Sequence, residues 1–196
     1  MRSITLALLL PFACVAGEFN KKLNLGDPAP LWNDLPGTDG KKHSLADYAD
    51  KEIVVVVFTC NSCACSEEYE DRIIAFADKY KAKAALVAIN VNTIPEDRLD
   101  AMKKKADKKK FPFAYLYDET QTIARDFGAT YTPEFFVLTR DRKVAYMGAM
   151  DDKTKVDEVK KRYLESAVDA VLKGEKPKTG ETNPHGCLIR FKRSRD

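Results

Sequence analysis

The sequence predicts an α/β fold with a central mixed β-sheet flanked by helices, and three observations carry that prediction. The first is IVVVVF at residues 53–58, an unbroken apolar run rich in β-branched residues, with helical spacing after the cysteines that follow it. Such a run is too short to cross a membrane and reads as a strand buried on both faces. The second is another apolar run, AALVAINV, at 84–91. The third is a pair of strand-like segments, 134–139 and 143–148, joined across Arg140-Asp141-Arg142 at hairpin spacing. Alternating strands and helices favour parallel pairing, and the terminal hairpin adds antiparallel pairing.

The elements follow in order. Residues 21–39 are rich in turn formers (Gly26, Pro28, Pro30, Pro36, Gly37) around Trp32, the only tryptophan. They predict an extended opening segment that covers a sheet edge. Residues 44–48 predict one helical turn, with His43 an ordinary surface histidine before it. After the first strand, Tyr69, Ile73, Phe76, Ala77 and Tyr80 recur at three- and four-residue steps, the apolar stripe of a helix. Thr93-Ile94-Pro95-Glu96 has capping-box spacing with a proline in the first turn, so a helix is expected from there through Leu99, Met102 and Ala106. The lysines at 103–105 and 108–110 give that helix a basic face. Asp97, Asp100 and Asp107 dilute it and no aromatic set interleaves, so a solvated face is expected and not a nucleic-acid surface. A strand at 113–117, a short helix at 121–127 closed by Gly128 and a last helix marked by Val156, Val159, Tyr163, Ala167 and Val171 complete the pattern. Gly174 ends that helix, and a polar tail carries Cys187.

Length and composition fit one domain with extensions: 196 residues, 44% hydrophobic and 32% charged. The net charge of +3 points to no polyanionic partner. Arg2, the apolar stretch 4–11 and the small residues 13–17 predict a secretory signal peptide over residues 1–17, short of the about 20 apolar residues that a membrane span needs. The expected organisation is therefore a leader at 1–17, a folded domain at 18–174 and a tail at 175–196. The mature chain would be exported, periplasmic or secreted, with no stable membrane insertion. Cys14 raises lipid anchoring as an alternative, but Pro11 stands where lipoprotein signals resemble one another in having leucine.

Five cysteines are present, and losing Cys14 leaves Cys60, Cys63, Cys65 and Cys187. Three fall within six residues at the junction of the first strand and its helix. A thiol at a helix N-terminus meets unpaired N–H groups and the positive end of the dipole, which favour the reactive thiolate. Cys63 is best placed for this. Glu67, Glu68 and Glu70 follow closely, and their charge opposes ionisation. The other thiols could resolve a mixed disulfide formed at Cys63. Cys60 is the favoured partner across the turn and Cys65 less apt, because a C-x-C ring is strained. Cys187 could fold back, either to resolve or to pin the tail.

The segments FTCNSCACSEEYEDR, FGATYTPEFFVLTRDRKVAYMG and NPHGCLIRFK together resemble the redoxin branch of the thioredoxin fold, which includes peroxiredoxin-like proteins and exported thiol-disulfide oxidoreductases. The resemblance implies a cis bond at Thr132-Pro133 beside the redox cysteine, with Thr132 presenting its backbone to substrate. It matches Cys63 to the first active-site cysteine, while Ser66 stands where the second would be. It implies protein or small-molecule disulfides, or peroxide, as substrates and a thiol electron donor, with no cofactor. Peroxiredoxins resemble one another in a threonine or serine three residues before the reactive cysteine and an arginine near it. Here Cys60 holds the first position and residues 126–139 contain no arginine, so disulfide exchange is the favoured reading and peroxidase activity the alternative. A further alternative is a soft-metal module for copper or zinc, built from Cys60, Cys63 and Cys65 with His185 or Cys187. Disulfide chemistry accounts for these cysteines more simply, so no metal is expected.

Overall fold

The computed structural model describes residues 17–192. The leader predicted for residues 1–17, Cys14 included, lies outside them apart from Gly17. Two short strands, β1 (Leu35–Pro36) and β2 (Lys42–His43), pair antiparallel, and the predicted turn follows as a 3-10 helix over Leu45–Tyr48. Then come β3 (Ile53–Phe58), α1 (Ala64–Tyr80), β4 (Ala84–Asn90), α2 (Leu99–Lys109), β5 (Ala114–Tyr117) and α3 (Thr122–Phe127). The chain closes with β6 (Tyr131–Thr132), β7 (Glu134–Leu138), β8 (Val144–Gly148), α4 (Tyr163–Leu172) and β9 (Cys187–Leu188).

Five strands form the central sheet in the order β5-β4-β3-β7-β8. β3, β4 and β5 run parallel, while β7 and β8 join antiparallel, so the sheet is evenly mixed rather than mainly parallel. β3 lies in the middle with every residue buried. Ile53, Val55 and Val57 face Tyr69, Ile73 and Phe76 of α1, Met102 of α2 and Leu164 and Val168 of α4. Val54, Val56 and Phe58 face Trp32, Leu45, Phe127 of α3 and Ile189 of the tail. A strand walled on both sides has no position for a polar residue, which is why its sequence does not alternate.

The opening segment covers both sheet edges, as an exposed strand edge requires. Thr38 N–H donates to Tyr115 O at 3.0 Å beside β5, and Gly26 N–H to Val144 O at 2.7 Å beside β8.

Three expectations need correction. The regular helix begins at Leu99, not near Thr93. Pro95–Asp97 make a separate 3-10 turn, and Arg98 at ψ 162° interrupts the two because Asp97 is drawn inward. The last helix begins at Tyr163. Val156 belongs to a separate 3-10 turn and is 52% exposed, while the Asp152 carboxylate accepts the N–H groups of Lys160 and Lys161 at 2.9 and 3.0 Å and diverts the chain. The tail is not polar throughout: Ile189 is 6% exposed and belongs to the core. Among the described residues no helix is long and apolar enough to cross a membrane.

Candidate functional site: a cysteine cluster beside Thr132-Pro133

The site lies where β3 ends and α1 begins. Cys63 is the N-cap residue of α1 in extended conformation (φ −106°, ψ 119°), and its carbonyl accepts the first helical bond from Glu67 N–H at 3.0 Å. The expected geometry is present: a cysteine at the mouth of a helix, where the first-turn N–H groups have no helical acceptors. Facing it is the Thr132-Pro133 peptide bond, which is cis.

Thr132 connects the cysteines. Its carbonyl oxygen lies 3.6 Å from Cys63 Sγ. Its hydroxyl donates to the Cys187 carbonyl at 3.4 Å, which leaves that oxygen free to accept from the Cys60 thiol at 3.3 Å. Burial pushes the Cys60 thiol above its ordinary range, against the Thr132 hydrogen bond and with the Asp97 charge adding to the rise. Cys60 is therefore a neutral interior thiol, also 3.8 Å from Ser66 Oγ.

Cys63 is joined by a disulfide to Cys187, with Cα atoms 6.4 Å apart across 124 positions of sequence. Sequence reasoning favoured Cys60 as its partner, and the structure joins Cys63 to the tail instead. Cys60 and Cys65 are free, the first buried and the second partly exposed. The sulfurs of Cys63, Cys65 and Cys187 lie within 4.8 Å of one another. This is the set that could hold a soft ion if all three were reduced. It excludes Cys60, which the sequence reading included, and His185 does not join it.

Two of the three acidic residues of α1 named above meet lysines of α2. Glu70 is nearly buried and paired with Lys105 and, at 3.2 Å, with Lys109, and Glu67 lies 3.3 Å from Lys105. The basic face of α2 is thus partly spent on α1, and Lys105 is largely covered rather than solvated.

Sequence reasoning missed the residues that hold the cysteine turn. Asp97 is fully buried and accepts from Asn61 N–H at 2.6 Å, Ser62 N–H at 3.2 Å and Ser62 Oγ at 2.6 Å. Asn90 and Asn92 donate to the same carboxylate at 3.2 and 3.3 Å. Tyr115 Oη donates to Asn61 Oδ1 at 2.9 Å. A buried charge persists only with such a shell of donors. The signal was present in Asn90 and Asn92 ending an otherwise apolar strand, where polar side chains have little reason to be buried without a shared partner.

A redox-capable cysteine at a strand-to-helix turn, facing a cis-proline on a mixed five-stranded sheet, defines the thioredoxin-like class. Residues 24–163 match the Redoxin family model, and the chain belongs to the Redoxin family. It is similar to a solved hypothetical protein of Sinorhizobium meliloti 1021, at 31% identity and TM-score 0.83, covering 89% of this chain and 98% of that one. An uncharacterized conserved protein of Geobacillus kaustophilus is 32% identical at TM-score 0.83, covering 89% and 96%. A protein of Chlorobium tepidum described as a DsbE thiol:disulfide interchange protein is 27% identical at TM-score 0.56, covering 64% and 84%. A search of curated proteins finds no match.

Proposed function

We propose that the protein is an exported thiol-disulfide oxidoreductase in which Cys63 is the reactive thiol and Cys187 its intramolecular partner. One observation carries this reading: the Cys63–Cys187 disulfide at the N-terminus of α1, with Cys63 Sγ 3.6 Å from the carbonyl of Thr132 in the cis Thr132-Pro133 unit. Reduction gives two thiols, and the helix terminus favours the thiolate at Cys63. One sulfur of the reduced pair attacks a disulfide to form a mixed disulfide, the other resolves it, and a thiol donor restores the reduced pair. Cys60 is a reserve thiol behind Thr132. Export is supported by the leader-like residues 1–17 and by the likeness to the Chlorobium DsbE protein.

Peroxide reduction is the weaker reading. Arg72, the arginine of α1, is committed to Asp151 at 2.7 Å and to the carbonyls of Lys153 and Thr154.

The test is turnover of bis(2-hydroxyethyl) disulfide with glutathione as donor, followed as NADPH consumption through glutathione reductase. Catalysis above the buffer rate that falls about 100-fold or more in Cys63→Ser supports the reading. A wild-type rate equal to buffer both on this disulfide and on insulin with dithiothreitol sinks it.

A further inference from the structure

We infer that Cys187, on the tail, is the sulfur through which the centre meets its external partner, and that this partner is a low-molecular-mass thiol or disulfide rather than a polypeptide. The inference rests on the redox reading of Cys63 and adds to it the port and the substrate class.

The backbone beside Cys63 that an extended polypeptide would pair with is already paired. β9 lies antiparallel on β6, with Tyr131 opposite Leu188 and Thr132 opposite Cys187, and Ile189 N–H donates to Thr130 O at 2.8 Å. Gly186 approaches so closely that a Cβ there would collide with the Thr132 carbonyl. A polypeptide docking by strand addition needs a free edge, and here the tail would first have to leave.

The tail is held independently of its disulfide. Upstream, Thr182 N–H donates to Met147 O at 3.1 Å and its hydroxyl accepts from Ala149 N–H at 2.9 Å. Downstream, Gln121 clamps the chain from both sides, donating to Arg190 O at 2.9 Å and accepting from Lys192 N–H at 2.7 Å. Arg190 N–H also donates to Asn92 Oδ1 at 3.0 Å. Reduction of the Cys63–Cys187 bond breaks none of these contacts, so β9 stays on β6 and the edge stays closed.

The two joined cysteines differ in exposure. Cys63 is 5% exposed, whereas Cys187 is partly exposed beside Leu188, which is 66% exposed. A small thiolate RS⁻ therefore attacks Cys187 Sγ. The S–S bond to Cys63 breaks, and Cys63 departs as a thiolate stabilised at the helix terminus, which makes it the better leaving group. A second RS⁻ attacks the R sulfur of the RS–S–Cys187 adduct, releasing RSSR and the Cys187 thiolate. Two external thiols are oxidised to one disulfide while the protein disulfide is reduced to two thiols. A small disulfide reoxidises the centre by the same steps reversed.

Two measurements test this. Wild-type protein is assayed on insulin with dithiothreitol and on bis(2-hydroxyethyl) disulfide with glutathione. The expected result is turnover of the small disulfide with insulin reduction at the dithiothreitol background. Insulin reduction at a catalytic rate overturns the inference, whereas failure with both substrates overturns the redox reading beneath it. Second, in a Cys65→Ser background, Cys63→Ser and Cys187→Ser variants are reduced and exposed to cystine, with adducts mapped by mass. The adduct on Cys187 should form at least 10-fold faster than the adduct on Cys63. Equal rates, or a faster Cys63, place the port elsewhere and refute the assignment.

Discussion

Cys60 and Cys63 are three residues apart, both are buried and both touch Thr132, yet their sulfurs have different partners. Cys60 reaches the Thr132 hydroxyl from inside, where burial holds its thiol neutral. Cys63 lies by the Thr132 carbonyl at the open end of a helix and is joined to the tail. A C-x-x-C spacing suggests that two such sulfurs form a pair. The difference between them shows that surroundings, and not spacing alone, decide which sulfur is paired and which stays a free thiol.

The comparison breaks most easily on activity. Cys63→Ser should lower disulfide turnover about 100-fold or more, while Cys60→Ser should lower it no more than a few-fold. Comparable losses in the two would show that the interior thiol takes part in every cycle.

Next in size is the support of the tail partner. Ile189→Ala removes a buried side chain and should cost about 2–4 kcal/mol in urea unfolding of the oxidised protein, while Leu188→Ala, at an exposed position, should change stability by under about 0.5 kcal/mol. Equal effects would mean that the tail is not docked through Ile189.

Similar in scale is Glu134, next to Pro133, whose carboxyl is pushed up to about 7 by burial even though Thr130 and Tyr131 N–H groups donate to it. The folded protein keeps this proton between the ordinary value of 4.5 and about 7, where the unfolded chain has lost it. Stability therefore falls as pH rises through that window and levels off above it, by on the order of 3 kcal/mol. Glu134→Gln retains an acceptor for both N–H groups and should flatten that part of the profile of melting temperature against pH. A profile unchanged by the substitution would remove Glu134 as the cause.

The smallest effect is expected from Thr132→Val, which deletes the hydroxyl between Cys60 and the Cys187 carbonyl and leaves the backbone pairing intact. It should cost about 1 kcal/mol and leave alkylation of reduced Cys63 unchanged. A large change in Cys63 reactivity would make the hydroxyl part of the reactive centre.

Much of the fold was legible because its signals are local. The all-apolar run at 53–58, the helical stripe after it and the hairpin spacing at 134–148 each appear in the structure close to where the sequence placed them. Gly128 closes α3 in the left-handed conformation, at φ +67°. The misses are long-range. Asp97 reads in sequence as a surface charge that dilutes a lysine-rich face, and only the approach of Asn61 and Ser62 from a distant turn makes it a buried acceptor. Glu70 looked like a repulsive charge until Lys105 and Lys109 of another helix met it. Cys187 stood open between resolving thiol and tether because nothing near it in sequence shows that Ile189 and Gln121 hold the tail in place.

The double anchoring of the tail also fixes how long any foreign sulfur can stay attached. With Cys187 held in place, the free Cys63 thiol beside it acts on an adduct there at a high effective concentration, since its attack is intramolecular and needs no diffusion. Adducts with outside molecules should therefore be expelled soon after they form. Their capture calls for a variant from which one of the two competing sulfurs has been removed.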